Sequence, residues 1–366
     1  MDFAFTEEQE MLRASVRQLL AERYPIDRVA KIADGDGFDR AEWPAVAEAG
    51  WLGISLAEEV GGAGLSFLDE LIVAEELGQG LYPGPWFSTA ILALGALSIG
   101  GEPTLIEEVI TGSRIATLAW AGEDGRFTWD PPPKVEWDDH DNLLTATKLF
   151  VPHLGVADLL IVIGGFSRGV GVWAVDRDAV GNRWRELPTV DATRPMGEVV
   201  LERAPATLLV DGELTKALMA LRDRALAALA VEAVGVASRA LEHGLEYARD
   251  RTQFGRPIGS FQAVSHPLAQ AFLEVETARS LAYWAGWAVA QGDPDAARAA
   301  SAAKARAADA AVTTCERAIQ GHGGIGFTWE HPLHRLYKRA LRISAFMGWG
   351  GELRARVAAD LLDEPQ

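Results

Sequence analysis

Arg251, Phe254 and Gln262 fall within the single string RTQFGRPIGSFQ and combine a cation, an aromatic ring and an amide. A guanidinium placed this way can pair bidentately with a pyrophosphate oxygen, while the ring and amide can address the adenosine half of a dinucleotide. The same residues can also be read as a helix end and a turn at Gly255, Pro257 and Gly259, with Arg251 merely solvated. A second string, QGHGGIG at 320–326, offers Gln320 as a hydrogen-bonding amide, and glycines that let backbone N–H groups come close to phosphates. The plain alternative there is a glycine-rich helix C-terminus, and His322 reads as a loop residue rather than an acid–base group.

The elements that would carry these strings follow from periodicity. From Thr6 the pattern is helical: Thr6 and Gln9 are spaced as a capping box, and Leu12, Val16, Leu19 and Leu20 share one apolar face. Helical segments broken at Gly61, Gly62, Gly64 and at Pro83, Gly84 and Pro85 continue to about residue 112. Short β-rich runs (ATLAW, LLTATKLFV, LLIVIGG, GVWAV, GEVVLERA) occupy 113–215, and the helical period then holds to the end. In the alanine-rich segment, Asp293 is placed as N-cap, Pro294 as the first helical position and Gly321 as the closing residue. The expected fold is α+β: an N-terminal α-helical domain at 1–112, a small antiparallel β-domain at 113–215 and a C-terminal four-helix bundle at 216–366.

Composition bounds the function. The 366 residues, 49% of them hydrophobic, can bury more than one core, and a net charge of -18 argues against a nucleic-acid binder. A polyanionic ligand would need local basic clusters, of which there are two: Arg249, Arg251 and Arg256, and Arg335, Lys338, Arg339 and Arg342. Cys315 is the one cysteine, so neither a disulfide within the chain nor a zinc or other metal centre is expected. The acidic N-terminus and the lack of an apolar run of membrane-spanning length point to a cytoplasmic, non-membrane protein.

Several strings resemble the acyl-CoA dehydrogenase family of flavoproteins, in the family's order across nearly the whole chain. They are DFAFTEEQ, WPAVAEAGWLGISLAEEVGGAGLSFLDELIVAEELG at 43–78, TATKLFVPHLGVADLLIVIG, VDATRPMGEVVLE, RTQFGRPIGSFQ and QGHGGIGFTWEHPLHRLYKRA. The resemblance implies FAD as cofactor, contacted by Arg251, Gln253, Phe254, Gln262, Gln320, Gly321, Gly323 and Gly324, with the 320–326 loop reaching the flavin nucleotide of a neighbouring subunit. It also implies an acyl-CoA substrate and a protein electron acceptor.

The family's reaction needs a carboxylate to remove the α-proton of the thioester. In the family this glutamate stands at one of two places, and here they fall on Met347 in FMGWGG and on Ala225 in RDRALAA. Neither can accept a proton, so the catalytic residue is unknown from sequence. Of the nearby carboxylates, Asp223 projects away from the Ala225 face, Glu232 lies about 10 Å further along the axis, and Glu352 follows Gly350 and Gly351. Where the family has a string like TEPGAGSD to hold flavin and substrate, this chain has AWAGEDGRFTWDPPP at 119–133, and FVPHL at 150–154 replaces a small hydroxyl residue. The chain thus resembles the subunit without a catalytic base of the heteromeric dehydrogenases of bacterial steroid side-chain degradation. Such a subunit would complete the FAD site of a partner chain that supplies the glutamate, in a heterotetramer. The alternatives are a self-sufficient homo-oligomeric dehydrogenase with a displaced base, and a non-catalytic structural or binding relative.

Overall fold

The protein is described by a computed structural model over residues 5–363, so the first three residues of the opening DFAFTEEQ string lie outside the described residues. Helices α1 (Glu7–Arg23), α2 (Ile26–Lys31), α3 (Trp43–Glu48), α4 (Phe67–Gln79), α5 (Leu94–Gly100) and α6 (Pro103–Ile110) come first. Strands β1 (Ala116–Ala119) to β8 (Thr207–Gly212) follow, with the short helix α7 (Arg177–Val180) among them. Then come α8 (Thr215–Asp250), a hairpin of β9 (Thr252–Gln253) and β10 (Arg256–Pro257), α9 (Gln262–Gln291), α10 (Ala296–His322), α11 (Leu333–Ala345) and α12 (Gly350–Asp363). No helix among the described residues is long and apolar enough to cross a membrane.

The chain forms two compact units, one of Met1–Ala33, Phe67–Tyr82 and Leu226–Gln366, the other of Asp34–Ser66 and Pro83–Ala225. In the first, α1 is capped as its sequence predicts, Thr6 Oγ1 accepting from the Gln9 amide and Gln9 Oε1 from the Thr6 amide. Arg17 of α1 donates to the buried Glu76 of α4 at 2.7 and 3.0 Å. Helices α4 and α8 touch backbone to backbone: a Cβ on Gly78 would lie 2.3 Å from the Glu232 carbonyl oxygen, and one on Gly235 2.0 Å from that of Glu75. Only glycine permits that approach.

The alanine-rich α10 begins and ends later than its sequence suggested. Asp293 Oδ1 accepts from the Asp295 amide at 2.8 Å, so this residue closes a turn ahead of the helix instead of capping it. At the other end the helix runs on through Gly321, and the left-handed residue that stops it is Gly323, with φ +63°.

The second unit holds two four-stranded sheets, ordered β1-β4-β5-β8 and β2-β3-β7-β6, where β2 is Glu136–Asp138, β3 Leu143–Pro152, β4 Leu159–Phe166, β5 Gly169–Asp176, β6 Trp184–Leu187 and β7 Met196–Pro205. All pairings within them are antiparallel except β1 with β4, which run parallel. Their apolar core includes Leu144, Ala146, Leu160, Val162, Trp173, Val199 and Leu201. The three strands that the β-rich runs did not reveal, β2, β6 and β8, are short and broken by charged or glycine residues, so they lack a readable alternation.

Replacing Gly235 by alanine sets a methyl group against a helix backbone that cannot yield as a side chain could. We expect a loss of about 1–3 kcal/mol or more in folding free energy, measurable by urea denaturation.

Candidate functional site

One end of the helical bundle carries the two strings nominated for a dinucleotide, at the ends of α8 and α10 and the start of α9. The C-termini of α8 and α10 meet there, because Tyr247 stacks on His322 with ring centroids 4.2 Å apart. Between α8 and α9 the chain turns through the β9–β10 hairpin, whose two-residue loop, Phe254 and Gly255, has φ of +51° and +77°. Two left-handed residues in succession match the right-handed twist of a tight hairpin, but phenylalanine is a costly residue there. Its ring is 92% exposed, so no core packing offsets the strain.

The polar groups at this end are open. Arg251, Gln253, Gln262 and Gln320 are exposed, and the side chains of Arg251, Gln262 and Gln320 form no hydrogen bond among the described residues. A Cβ added at Gly321, Gly323 or Gly324 would meet nothing within 4 Å. A free guanidinium, uncommitted amides and an accessible glycine backbone are what the phosphates and adenosine of a dinucleotide require. The residues present fit that half of the group.

Sequence reasoning missed what joins these pieces. His322 is no loop residue: it ends α10, is buried, and donates its Nδ1–H to the Ala318 carbonyl at 2.8 Å. Its ring lies 4.5 Å from that of His331, which in turn lies 5.7 Å from that of His243. Burial, then repulsion from Arg239 and the other two histidines, pushes His243 down to about 4; burial also lowers His322 and His331. His322 and His331 are near neighbours in sequence, but His243 comes from the distant α8, and no local spacing could have announced that all three meet.

The second basic cluster does not face a ligand. Arg339 is wholly buried and donates to Glu232 at 2.7 Å and to the Tyr82 carbonyl at 3.2 Å. Arg342 lies over Phe346, and Arg335 and Lys338 lie over the exposed ring of Trp329. That leaves the hairpin cluster as the accessible one.

Neither base position changes character in three dimensions. Met347 is buried in a left-handed conformation (φ +59°), in a loop that Lys304 holds by donating to the carbonyls of Ser344 and Gly348. Ala225 is buried too. The three carboxylates weighed as substitutes are each engaged. Glu232 belongs to Arg339, Asp223 accepts from Arg222 Nε at 2.8 Å, and Glu352 accepts from the Trp349 amide at 3.3 Å.

In the sheet unit, the 119–133 segment closes on itself. Trp120 and Trp129 are buried and stacked at 4.1 Å, and the Trp120 indole N–H donates to the Thr128 carbonyl. Phe150 crowds Gly125, and the Pro152 carbonyl accepts from Thr117 Oγ1 at 2.6 Å. Two buried indoles fill this loop, in place of the string that the family resemblance would set against flavin and substrate. Outside the loop is a cavity of about 530 Å³, whose charged lining is Glu123, Asp124, Lys134, Glu136 and Glu202. That excess of carboxylates repels a polyphosphate.

Residues 6–111 match the family description "Acyl-CoA dehydrogenase, N-terminal domain" and residues 217–362 match "Acyl-CoA dehydrogenase, C-terminal domain". The chain is 31% identical to the acyl-CoA dehydrogenase IpdE2 of Mycolicibacterium smegmatis, over 97% of this chain and 99% of that one. Among solved structures it is similar to a variant of the Tcur3481-Tcur3483 steroid ACAD (32% identity, 98% of each chain, TM-score 0.87). It is also similar to the ChsE4-ChsE5 complex from Mycobacterium tuberculosis (28% identity, 100% of each chain, TM-score 0.89). The chain belongs to the acyl-CoA dehydrogenase family, whose members are FAD-binding flavoproteins.

Two outcomes follow from the buried charges. Glu232→Leu strands Arg339 without its counter-charge and costs about 3–5 kcal/mol, whereas adding Arg339→Met recovers much of the loss; chemical denaturation of both variants checks this. His243, neutral in the fold down to about pH 4, protonates near 6.5 once unfolded. The unfolded chain therefore binds more protons between those values, and stability is full above about 6.5 and falls as pH drops toward 4. His243→Leu reduces that slope in thermal melts.

Proposed function

We propose that this chain is the base-lacking subunit of an FAD-dependent acyl-CoA dehydrogenase that introduces an α,β double bond into an acyl-CoA thioester. A homologous partner chain supplies the catalytic glutamate. The observation that carries this reading is the engagement of Glu232, Asp223 and Glu352 by protein groups, in a chain with methionine and alanine at the two base positions. Loss of a general base costs about 100- to 10,000-fold in rate, so an active enzyme draws its carboxylate from another polypeptide.

The division into 1–112, 113–215 and 216–366 is the domain order we assign, supported by family matches at 6–111 and 217–362. Arg251 would hold the pyrophosphate, with Gln253 beside it and Phe254 and Gln262 toward the adenosine, while the Gln320 side chain and the open surface of Gly321, Gly323 and Gly324 would lie against the nucleotide. Bound FAD supplies the two-electron acceptor for the β-hydrogen. This chain's own task is positional, since its exposed bundle end forms one wall of a nucleotide site and leaves the ring to the partner. An electron-transfer protein would reoxidise the flavin. Similarity to a steroid ACAD and to the ChsE4-ChsE5 complex supports a steroid side-chain acyl-CoA as substrate and a hetero-oligomer as assembly; a heterotetramer in the cytoplasm is the assembly and setting we propose.

Purified alone and mixed with FAD and an acyl-CoA, the chain should leave flavin absorbance unbleached; co-purified with its partner, it should bleach it. Bleaching by the lone chain would overturn the reading. In the complex, Arg251→Ala removes a charge-assisted contact and should weaken FAD retention roughly ten- to a hundredfold, read by fluorescence of released flavin.

A further inference from the structure

Lys148 lies in the sheet unit on the inward face of β3, on the same side as Leu144 and Ala146, and its side chain is wholly buried. Its Nζ donates to two acceptors, the carbonyl of Trp120 at 3.1 Å and that of Ile163 at 2.7 Å. Desolvation alone shifts its protonation, so no carboxylate among the described residues offsets a charge there. The charged side chains of the neighbouring wall, Glu123, Asp124, Lys134, Glu136 and Glu202, line the outer cavity instead.

Donor arithmetic decides what this pocket suits. An ammonium has three hydrogens and a full charge; here one hydrogen would go unsatisfied and the charge uncompensated in an apolar core. A neutral amine has two hydrogens, matched by two carbonyls. Lys304, the other fully buried lysine, is likewise pushed down to about 7 by burial, but its carbonyl partners lie at and just beyond the C-terminus of α11, where the helix dipole is negative, and Asp309 and Glu352 offset part of that shift.

The two acceptors of Lys148 are unequally held. Ile163 lies within β4, in register with Val172 of β5. Trp120 lies just beyond the last residue of β1, at the start of the loop that the tryptophan stack closes. Adjacent Ala121 is tied to β3 through its carbonyl, which accepts from the Leu149 amide at 3.0 Å. If the amine gains a proton, the loop end can rearrange to admit water more cheaply than a laddered strand can.

We propose that Lys148 is kept as an uncharged amine that clasps the 120–133 loop, and that its protonation is a switch releasing this loop and separating Trp120 from Trp129. The switch lies in this chain's own sheets, and it stands or falls independently of any partner or flavin. Burial pushes the amine from 10.5 down to about 7, which places the transition at neutral pH. The fold therefore gains stability as pH rises from about 7 to 10.5, because over that interval the unfolded chain binds the extra proton.

Two measurements on the full-length chain test the switch. The first follows the side-chain nitrogen of Lys148 by 15N NMR between about pH 5.5 and 9.5. A midpoint near 7 is expected, and a lysine still fully charged at the alkaline end overturns the proposal. The second follows the circular-dichroism couplet of the stacked indoles, identified by its loss in Trp129→Phe. In the native chain the couplet should strengthen as pH rises, with the same midpoint, and in Lys148→Met it should be independent of pH. A flat couplet in the native chain, or an unchanged titration in Lys148→Met, overturns loop release. If Lys148→Met does not fold, the coincidence of the two native-chain midpoints supports the proposal and their divergence overturns it.

Discussion

A carboxylate can take a proton from carbon only while its lone pairs are free, and in a protein interior a guanidinium is a strong competitor for them. Glu232 and Arg339 show the competition settled. Both are buried, they meet at 2.7 Å, and the arginine also bonds the Tyr82 carbonyl. Removing either charge would strand the other, so the pair is a structural strut between α8 and α11 and unsuited to acid–base work. The same logic applies to Asp223 beside Arg222. Methionine and alanine stand at the two base positions, and the three carboxylates weighed beside them are each engaged by protein groups.

What remains is an unusually open arrangement of binding groups. The bundle end presents Arg251, Gln262, Gln320 and three unobstructed glycines to solvent, together with Phe254 in a left-handed conformation that packing does not repay. Strain and exposure of this kind persist where a ligand or another chain completes the surface. Behind the open face, the stacked Tyr247 and His322 and the neighbouring His331 and His243 fix the ends of α8 and α10. Burial lowers all three histidines, which disfavours added positive charge beside Arg239.

The sheet unit solves a different problem. Its core accommodates a lysine by pairing the amine with two carbonyls and no anion, and its 119–133 loop fills its own interior with tryptophan. The 119–133 segment is a packed element beside an acidic cavity wall. The exposed, uncommitted polar groups are concentrated at the bundle end.

Local sequence determined a good deal. The capping box of α1, the order of helices, strands and helices, and the turn after α8 were readable because each depends on residues a few positions apart, where periodicity and turn chemistry act. The alternation in LLTATKLFV even places Lys148 on the apolar side, a signal that reading for strands alone passes over. Tertiary structure decided the rest. Glu232 meets Arg339 across 107 positions, three histidines converge from separate helices and loops, and Asp293 becomes a turn instead of a cap. Whether a carboxylate is a base or a strut, and whether a lysine is charged, depends on partners and solvent exposure, and these exist only once distant segments have packed.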